Sequence, residues 1–218
     1  MKNISYAVII ADYGKRDNVT KMIREARKHN IETIYVYDKK NKCVEYENLV
    51  SENMSCFTLD NIGREQETYL QFIVNNYNQL EDVLIFALST IYKTDPFSGD
   101  RWSRYLYLLE NKEKHDIFCT HPGQKIENEF NFRLKSWENI KQNPAPSNFD
   151  KWYLEHVGTS FTSKKDSVCY NGIFKTTREK IHTRPLKYYK NLLQQFETTN
   201  DEIGHYMERA DQTIFGHT

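Results

Sequence analysis

Short apolar runs alternate with segments of helical periodicity along the first half of the chain. Three of these runs predict strands, at Tyr6–Ile10, Ile34–Tyr37 and Cys56–Leu59. Between the first two runs, apolar residues recur at the spacing of one helix face, at Val19, Met22, Ile23 and Ala26. A strand, a helix and a strand within about 35 residues predict a parallel pair joined by a right-handed crossover.

The run from Val83 to Leu88 is continuous and apolar, which predicts a strand buried on both faces. It follows a polar break at 78–82 and a predicted helix whose apolar face consists of Tyr69, Phe72, Ile73 and Tyr77. Open α/β sheets bind ligands beyond the carboxyl ends of their strands. The residues just beyond this strand are Ser89, Thr90 and Tyr92.

The second half of the chain predicts further elements, beginning with a helix over 102–109 and a strand at Ile117–Cys119. A strand containing Gly172 and Phe174 precedes a helix with Tyr189, Leu192, Leu193 and Phe196 on its apolar face. The closing helix buries Ile203, Met207, Ala210 and Ile214. The polar, proline-bearing segment 141–150 is interpreted as a seam within one domain, 1–218, between halves 1–97 and 98–218.

Composition narrows the functional classes. The formal charge of +0 argues against a dedicated nucleic-acid binder. The 15 Tyr, 12 Phe and 3 Trp are unusually many; some of them belong to the core, and an excess of Tyr and Trp also suits stacking on sugars or bases. The four cysteines lack Cys-x-x-Cys spacing, which predicts reduced thiols in a cytoplasmic protein. The N-terminal apolar run stops at Ala11 and is too short for a signal peptide or a membrane anchor.

Three strings carry a resemblance to a known family. They are Asn61-Ile-Gly-Arg-Glu followed by a helix through Tyr69 and Tyr77, the stretch 171–193, and His205-x-x-Glu208-Arg209. Together they resemble a small, poorly characterised subgroup of GT-A glycosyltransferases and the small glycosyltransferases of large algal viruses. The alternative is that the first string only forms a turn and a helix cap.

The resemblance implies an α/β GT-A fold, a Rossmann-like and mostly parallel sheet flanked by helices in a single domain. It implies a nucleoside-diphosphate sugar as donor, with UDP as the expected nucleotide, and a hydroxyl of a glycan or glycoprotein as acceptor. The location it implies is the cytoplasm, or the host cytoplasm for a viral protein. A non-catalytic nucleotide- or glycan-binding module derived from such an enzyme is the main alternative.

The donor is expected at the carboxyl edge of the sheet. Asp12 and Asp38 end the first two strands, where a carboxylate accepts hydrogen bonds from ribose hydroxyls or a base N–H. The alternative is that both are solvated loop acids. The full set of residues predicted to bind the donor is Ala11, Asp12, Tyr13, Asp38, Asn61, Gly63, Arg64, Ser89 and Thr90.

Metal-dependent members of this fold place two carboxylates, one residue apart, after the central strand to hold Mn²⁺ or Mg²⁺. This chain departs from that pattern, because Leu88-Ser89-Thr90 contains no acid. Either Asp95 supplies a metal ligand, or fixed cations neutralise the diphosphate, drawn from Arg64, Lys93, Arg101 and Arg104. The missing pair of acids also favours the non-catalytic alternative.

Glu208, with His205 three residues before it on one helix, is the predicted base that deprotonates the acceptor. The alternative is a surface pair next to Arg209, which would contribute little stability. His121 is a base, a ligand or an ordinary loop residue. The basic run from Lys175 to Lys190 is a solvated face or attracts an anion, and an RNA-binding role for it is the third functional hypothesis.

Overall fold

The structure is a computed structural model that describes residues 3–44, 46, 53–92, 94–95, 99–114, 118–120, 131–137, 139–158 and 168–215. The strands are β1 (Tyr6–Asp12), β2 (Thr33–Asp38), β3 (Met54–Thr58), β4 (Val83–Leu88), β5 (Thr94–Asp95), β6 (Gly99–Asp100), β7 (Ser136–Trp137), β8 (Ile140–Lys141) and β9 (Phe174–Thr177). The helices are α1 (Arg16–Lys28), α2 (Arg64–Asn76), α3 (Arg101–Glu110), α4 (Phe149–His156), α5 (Arg178–Ile181), α6 (Leu186–Leu193) and α7 (Glu202–Ile214).

The main sheet has five strands in the order β3-β2-β1-β4-β9. The first four are parallel, and β9 pairs antiparallel with β4. The chain leaves β1 toward β2 on one side and returns to β4 on the other, so the strand order reverses between β1 and β4. The fold is therefore a mixed α/β domain of Rossmann-like form, as predicted, with its topological switch point at the carboxyl ends of β1 and β4.

The hydrophobic pattern accounts for the first half of the molecule. All six residues of β4 are buried, as a strand covered on both faces requires. The residues that α1 buries are Val19, Met22, Ile23 and Ala26, the predicted face. Helix α2 packs against α6 and α7, which brings the two halves of the chain into one domain.

Three predictions in the second half are wrong. Phe118 and Cys119 lie outside any strand, while Ile117 is outside the described residues. Gly172 lies in the turn before β9 because its φ of +57° does not fit an extended strand. Helix α6 ends at Leu193, so Phe196 belongs to the following loop, where it packs against the core.

The cysteine prediction is also wrong, because all four cysteines are paired. Cys43 forms a disulfide with Cys56, and Cys119 forms one with Cys169. The absence of a Cys-x-x-Cys motif therefore did not mean reduced thiols. Disulfides persist in oxidising compartments, so the cysteines no longer support a cytoplasmic location.

Membrane-spanning helices are absent from the part of the chain that the structure describes, where none is both long and apolar enough to cross a bilayer.

Candidate functional site

The residues predicted to bind the donor lie along the carboxyl edge of the sheet. Asp12 and Asp38 are register partners at the ends of β1 and β2. The backbone N–H of Ser89 donates to the carbonyl of Ala11 at 2.9 Å, and the N–H of Leu59 donates to the carbonyl of Asp38 at 2.9 Å. The loops that follow β1, β2, β3 and β4 therefore meet at one rim.

Asp12 and Asp38 are fully buried, so the alternative of two solvated loop acids is wrong. Asp12 accepts hydrogen bonds from the N–H of Lys15 at 2.9 Å and from the hydroxyl of Tyr46 at 2.5 Å. Asp38 accepts the backbone N–H groups of Lys40, at 2.8 Å, and Lys42. Both oxygens of each carboxylate are thus engaged within the protein, and both acids shape the loops of the rim.

The loop at Asn61 enters α2 through two residues with positive φ, Gly63 at +57° and Arg64 at +53°. A Cβ on Gly63 would lie 2.4 Å from Cδ1 of Phe196, so only glycine fits there. The N–H of Gly63 donates to the carbonyl of Thr198 at 2.9 Å. The tight approach holds the start of α2 against the loop that leads into α7.

A buried lysine also supports the loop at Asn61. The ammonium group of Lys39 donates to the carbonyl of Ile62 and pairs with Glu67 at 2.7 Å. Burial lowers the pKa of Lys39, and the nearby Glu67 carboxylate opposes that shift. The lysine that follows β2 therefore positions the first turn of α2.

A hydrogen-bonded network crosses the switch point. The N–H of Tyr13 donates to the Ser89 hydroxyl at 2.9 Å, and its phenol donates to Glu65 at 3.3 Å. Cγ of Glu65 would lie 3.0 Å from a Cβ on Gly172, so Glu65 packs against the turn before β9. The network thus joins the loops after β1 and β4 to the start of α2.

Arg101, the first residue of α3, extends this network to α7. One guanidinium nitrogen donates to the hydroxyl of Thr90 at 3.0 Å and to its carbonyl at 3.2 Å, and the other donates to the side chain of Asn171. The backbone N–H of Asn171 donates to Oε1 of Glu208 at 2.7 Å. Asn171 has a φ of +74°, a conformation that asparagine tolerates better than most residues.

Burial and neighbouring carboxylates raise the pKa of two acids at this rim, Glu208 and Asp211. Burial raises the pKa of Glu208, and the charge of Glu65 adds to the shift. Burial and the charge of Glu208 raise the pKa of Asp211 well above its ordinary value. One Asp211 oxygen accepts from Gln66 at 3.1 Å, while the other is buried without a partner among the described residues.

His205 and Glu208 are mostly buried, so the surface position in the alternative is wrong, although the Arg209–Glu208 ion pair that it included is present at 4.0 Å. His205 is 9% exposed and the Glu208 side chain 17% exposed. Burial lowers the pKa of His205 to about 3, with a further contribution from Arg64 and Arg209. His205 is therefore neutral near pH 7. The guanidinium of Arg209 lies 3.3 Å from the centre of the Phe132 ring, a cation–π contact.

The candidate cations differ in their availability. Arg104 is 2% exposed and donates to the Thr120 hydroxyl at 3.1 Å, so the prediction that it could neutralise a diphosphate is wrong. Arg101 is held by Thr90 and Asn171. Arg64 is partly exposed and pairs with no acid in the described part of the chain. Lys93 lies outside the described residues.

No group of three His, Cys, Asp or Glu side chains is placed to hold a metal ion in the described regions. Asp95 lies in the short strand β5, but its side chain, like His121 as a whole, falls outside that description. The described part of the rim therefore presents guanidinium groups and no group of three metal-binding side chains.

The basic run from Lys175 to Lys190 is only partly a solvated face. Lys175 is 1% exposed and donates to the carbonyls of Asn111, at 2.6 Å, and Lys114, at 2.7 Å. Arg178 forms an ion pair with Asp82. The first cations of the run are thus structural, which removes them from the RNA-binding hypothesis.

Sequence reasoning missed three members of the rim: Glu65, treated only as a helix cap, Asn171 and Asp211. The acids at 65, 208 and 211 sit on two helices far apart in the chain, and no spacing within either helix indicates that they meet. Asn171 is followed directly by Gly172 in the sequence. An Asn-Gly pair is a local signal for a turn, and it is the one signal that could have predicted the positive φ of Asn171.

Comparison with known proteins provides a family and a distant structural likeness. Residues 8–218 match the sequence profile of a family described as a protein of unknown function, DUF3431. No curated protein matches the chain. A crystal structure of 4-diphosphocytidyl-2C-methyl-D-erythritol synthase from Anaerococcus prevotii is similar at a TM-score of 0.44 and 10% identity, over 95% of this chain and 83% of that one. A likeness of this degree carries no argument about chemistry.

Proposed function

We propose that this chain, which belongs to the family of unknown function DUF3431, transfers a sugar from a nucleoside diphosphate, with UDP as the expected nucleotide, to a hydroxyl of a glycan or glycoprotein. The proposal rests on one observation: Arg64, whose guanidinium has no acid partner among the described residues, lies on the same edge of a Rossmann-like sheet as the mostly buried carboxylate of Glu208. The switch point is where such sheets bind nucleotides.

Sugar transfer requires the protein to stabilise the charge of the leaving diphosphate and to accept a proton from the acceptor hydroxyl. The bond between the anomeric carbon and the diphosphate oxygen breaks, and the electron pair leaves with the diphosphate. Arg64 would stabilise that negative charge, and the Arg101 guanidinium, held by Thr90 and Asn171, would add to the positive potential of the rim. The acceptor oxygen forms the new bond to carbon and loses its proton, which Glu208 would receive.

The surroundings of Glu208 suit a base. A carboxylate whose pKa is raised holds a proton more strongly and is therefore a better acceptor near neutral pH. Burial and the charge of Glu65 have that effect here. The N–H of Asn171 orients one Glu208 oxygen. The other oxygen lies 4.0 Å from the Arg209 guanidinium, beyond hydrogen-bond distance, and could still accept from a hydroxyl. His205 would assist as a neutral neighbour, because its pKa is too low for it to carry the proton.

Mn²⁺ or Mg²⁺ remains a prediction of the family resemblance. The described side chains include no group of three His, Cys, Asp or Glu residues placed to hold it, and the guanidinium groups are the cations proposed for the diphosphate.

Binding of UDP-sugars tests the proposal directly. Thermal unfolding of the full chain would be followed with UDP and a panel of UDP-sugars, each with and without Mn²⁺, since a ligand that binds only the folded state raises the midpoint. We expect Arg64→Gln to weaken UDP binding by about tenfold or more, the value of a lost charge-assisted hydrogen bond. Arg24→Gln, on the exposed face of α1, is the matched control. Equal affinities in both variants would refute the role of Arg64.

A non-catalytic binding module is the second candidate. It is supported by the engagement of Asp12 and Asp38 within the protein, because neither carboxylate is left over for a ribose or a metal. Binding of UDP without hydrolysis or transfer, under any metal, would favour this candidate.

The two disulfides lead us to replace the cytoplasmic prediction with an oxidising compartment. There the acceptor would be a glycan or glycoprotein of the secretory route or the cell exterior.

A further inference from the structure

A cavity lies beside the first turn of α7. Its volume is about 560 Å³, within the range of small-molecule sites. Its lining comes from three segments, 133–135, 141–148 and the first residue of α7, Glu202. These segments include the predicted seam at 141–150.

The walls of this cavity are held by Glu202. This carboxylate is 1% exposed and accepts the N–H of Leu134 at 2.6 Å and the N–H of Ala145 at 2.8 Å. Arg133 pairs with it at 3.1 Å. Glu202 accepts from all three groups and therefore holds the cavity together, and its charge offsets that of Arg133.

The remaining charges are positive. Lys135 and Lys141 line the cavity, are exposed, and pair with no acid in the described part of the chain. Arg133 is 40% exposed and has further N–H groups beyond those used by Glu202 and the carbonyl of Ala145. Three cations converging on one concave space favour an anion.

A polar group at the same cavity favours hydroxyls. Gln142 is 3% exposed, and its amide nitrogen donates to the carbonyl of Ile140 at 3.2 Å. Its amide oxygen is buried without a partner among the described residues. A buried acceptor without a hydrogen bond lowers the stability of the fold. Rotation of the terminal amide would turn this oxygen toward a ligand hydroxyl.

We propose that this cavity binds a small hydroxyl-bearing anion, a sugar acid or a sugar phosphate, through Arg133, Lys135, Lys141 and Gln142. Its further role as the acceptor site rests on the function proposed above. Glu202 and Glu208 lie on the same helix, about 9 Å apart along its axis at 1.5 Å per residue. An acidic glycan held here would reach toward the base at the rim.

Isothermal titration of the full chain tests the cavity with four probes: glucuronate, glucose 6-phosphate, neutral glucose and inorganic phosphate. We expect glucuronate or glucose 6-phosphate to bind more tightly than both glucose and inorganic phosphate. Binding of only one of the first two identifies the anionic group. The double variant Lys135→Gln/Lys141→Gln should weaken that binding by about fivefold or more. Lys187→Gln/Lys190→Gln, which removes two exposed charges from α6, should leave it unchanged.

A further variant addresses the hydroxyl. Gln142→Leu should reduce the preference for glucose 6-phosphate over inorganic phosphate, with folding checked by the thermal midpoint. The proposal is overturned if neither hydroxylated anion binds, if both lysine pairs weaken binding equally, or if inorganic phosphate binds as tightly as the hydroxylated anion that does bind. UDP binding at the rim is measured in the same samples. UDP binding without sugar-anion binding refutes the cavity proposal alone. Sugar-anion binding without UDP binding refutes the proposed function of the rim alone.

Discussion

The backbone N–H of Asn171 donates a 2.7 Å hydrogen bond to the carboxylate of Glu208. This contact joins the turn before the antiparallel strand β9 to the middle of the last helix. It fixes the position of the carboxylate at the edge where the parallel strands end, and the residue that makes it, Asn171, has a backbone in the left-handed region.

Replacing Glu208 by glutamine should remove the proposed base while keeping the side-chain shape. We expect the rate of sugar transfer to fall by about 10²-fold or more, with UDP binding nearly unchanged, because the lost interaction acts on the acceptor proton. Product formation and UDP affinity would be measured on the same preparation. Full transfer activity in the variant would remove Glu208 from the role.

The stability of the protein should fall as the pH rises because of Asp211. Its pKa is raised well above the ordinary 3.8, so the folded chain keeps a proton that the unfolded chain releases near pH 4. That stabilisation is complete below this value and is lost as the pH rises through the folded pKa, by up to about 1.4 kcal/mol per pH unit. Urea unfolding between pH 5 and 9 would show it.

Asp211→Asn should flatten that dependence, since asparagine does not titrate and can still accept from Gln66. Glu155→Gln, at a side chain 63% exposed, is the control and should keep the wild-type slope. A wild-type slope in Asp211→Asn as well would mean that Asp211 is ionised in the folded protein.

Opening the Cys43–Cys56 disulfide should loosen the rim. The bridge lies in the segment whose N–H groups bind Asp38 and whose Tyr46 binds Asp12. A closed loop of this length contributes about 3 kcal/mol in the chain-entropy account. We expect Cys43→Ser/Cys56→Ser to lower the free energy of unfolding by about that amount and to weaken UDP binding.

Cys119→Ser/Cys169→Ser is the comparison, because it should also destabilise the fold but leave UDP affinity closer to wild type. Counting free thiols in the wild-type protein, denatured without a reducing agent, tests whether the two disulfides form. Four free thiols would contradict both disulfides and the oxidising compartment.

Gly63→Ala should be much more costly than Gly158→Ala. Both glycines have positive φ, but a Cβ on Gly63 would lie 2.4 Å from Phe196, whereas one on Gly158 meets nothing within 4 Å. We expect Gly158→Ala to lower the free energy of unfolding by about 1 kcal/mol, from backbone strain alone, and Gly63→Ala to lower it by at least about 3 kcal/mol. Chemical denaturation measures both, and similar losses would show that the loop at Gly63 yields easily.

The sequence by itself determined the parallel half of the sheet and the edge at which to look. The apolar run 83–88 and the apolar face of α1 each lie within a short stretch of sequence, so the local pattern is enough to predict the strand and the helix. Once β1, β2 and β4 are parallel, their carboxyl ends must share a rim, and Asp12, Asp38 and Ser89 follow them there.

Only the tertiary structure decided what those residues do. Asp211 meets Gln66 across 145 positions of sequence, and Gly63 meets the loop before α7. Tyr46 engages Asp12 and the cysteines pair because folding brings distant segments together, not because of any spacing along the chain. Burial of the polar face of α7 likewise depends on helices and turns packed from elsewhere, and no helical pattern contains that information.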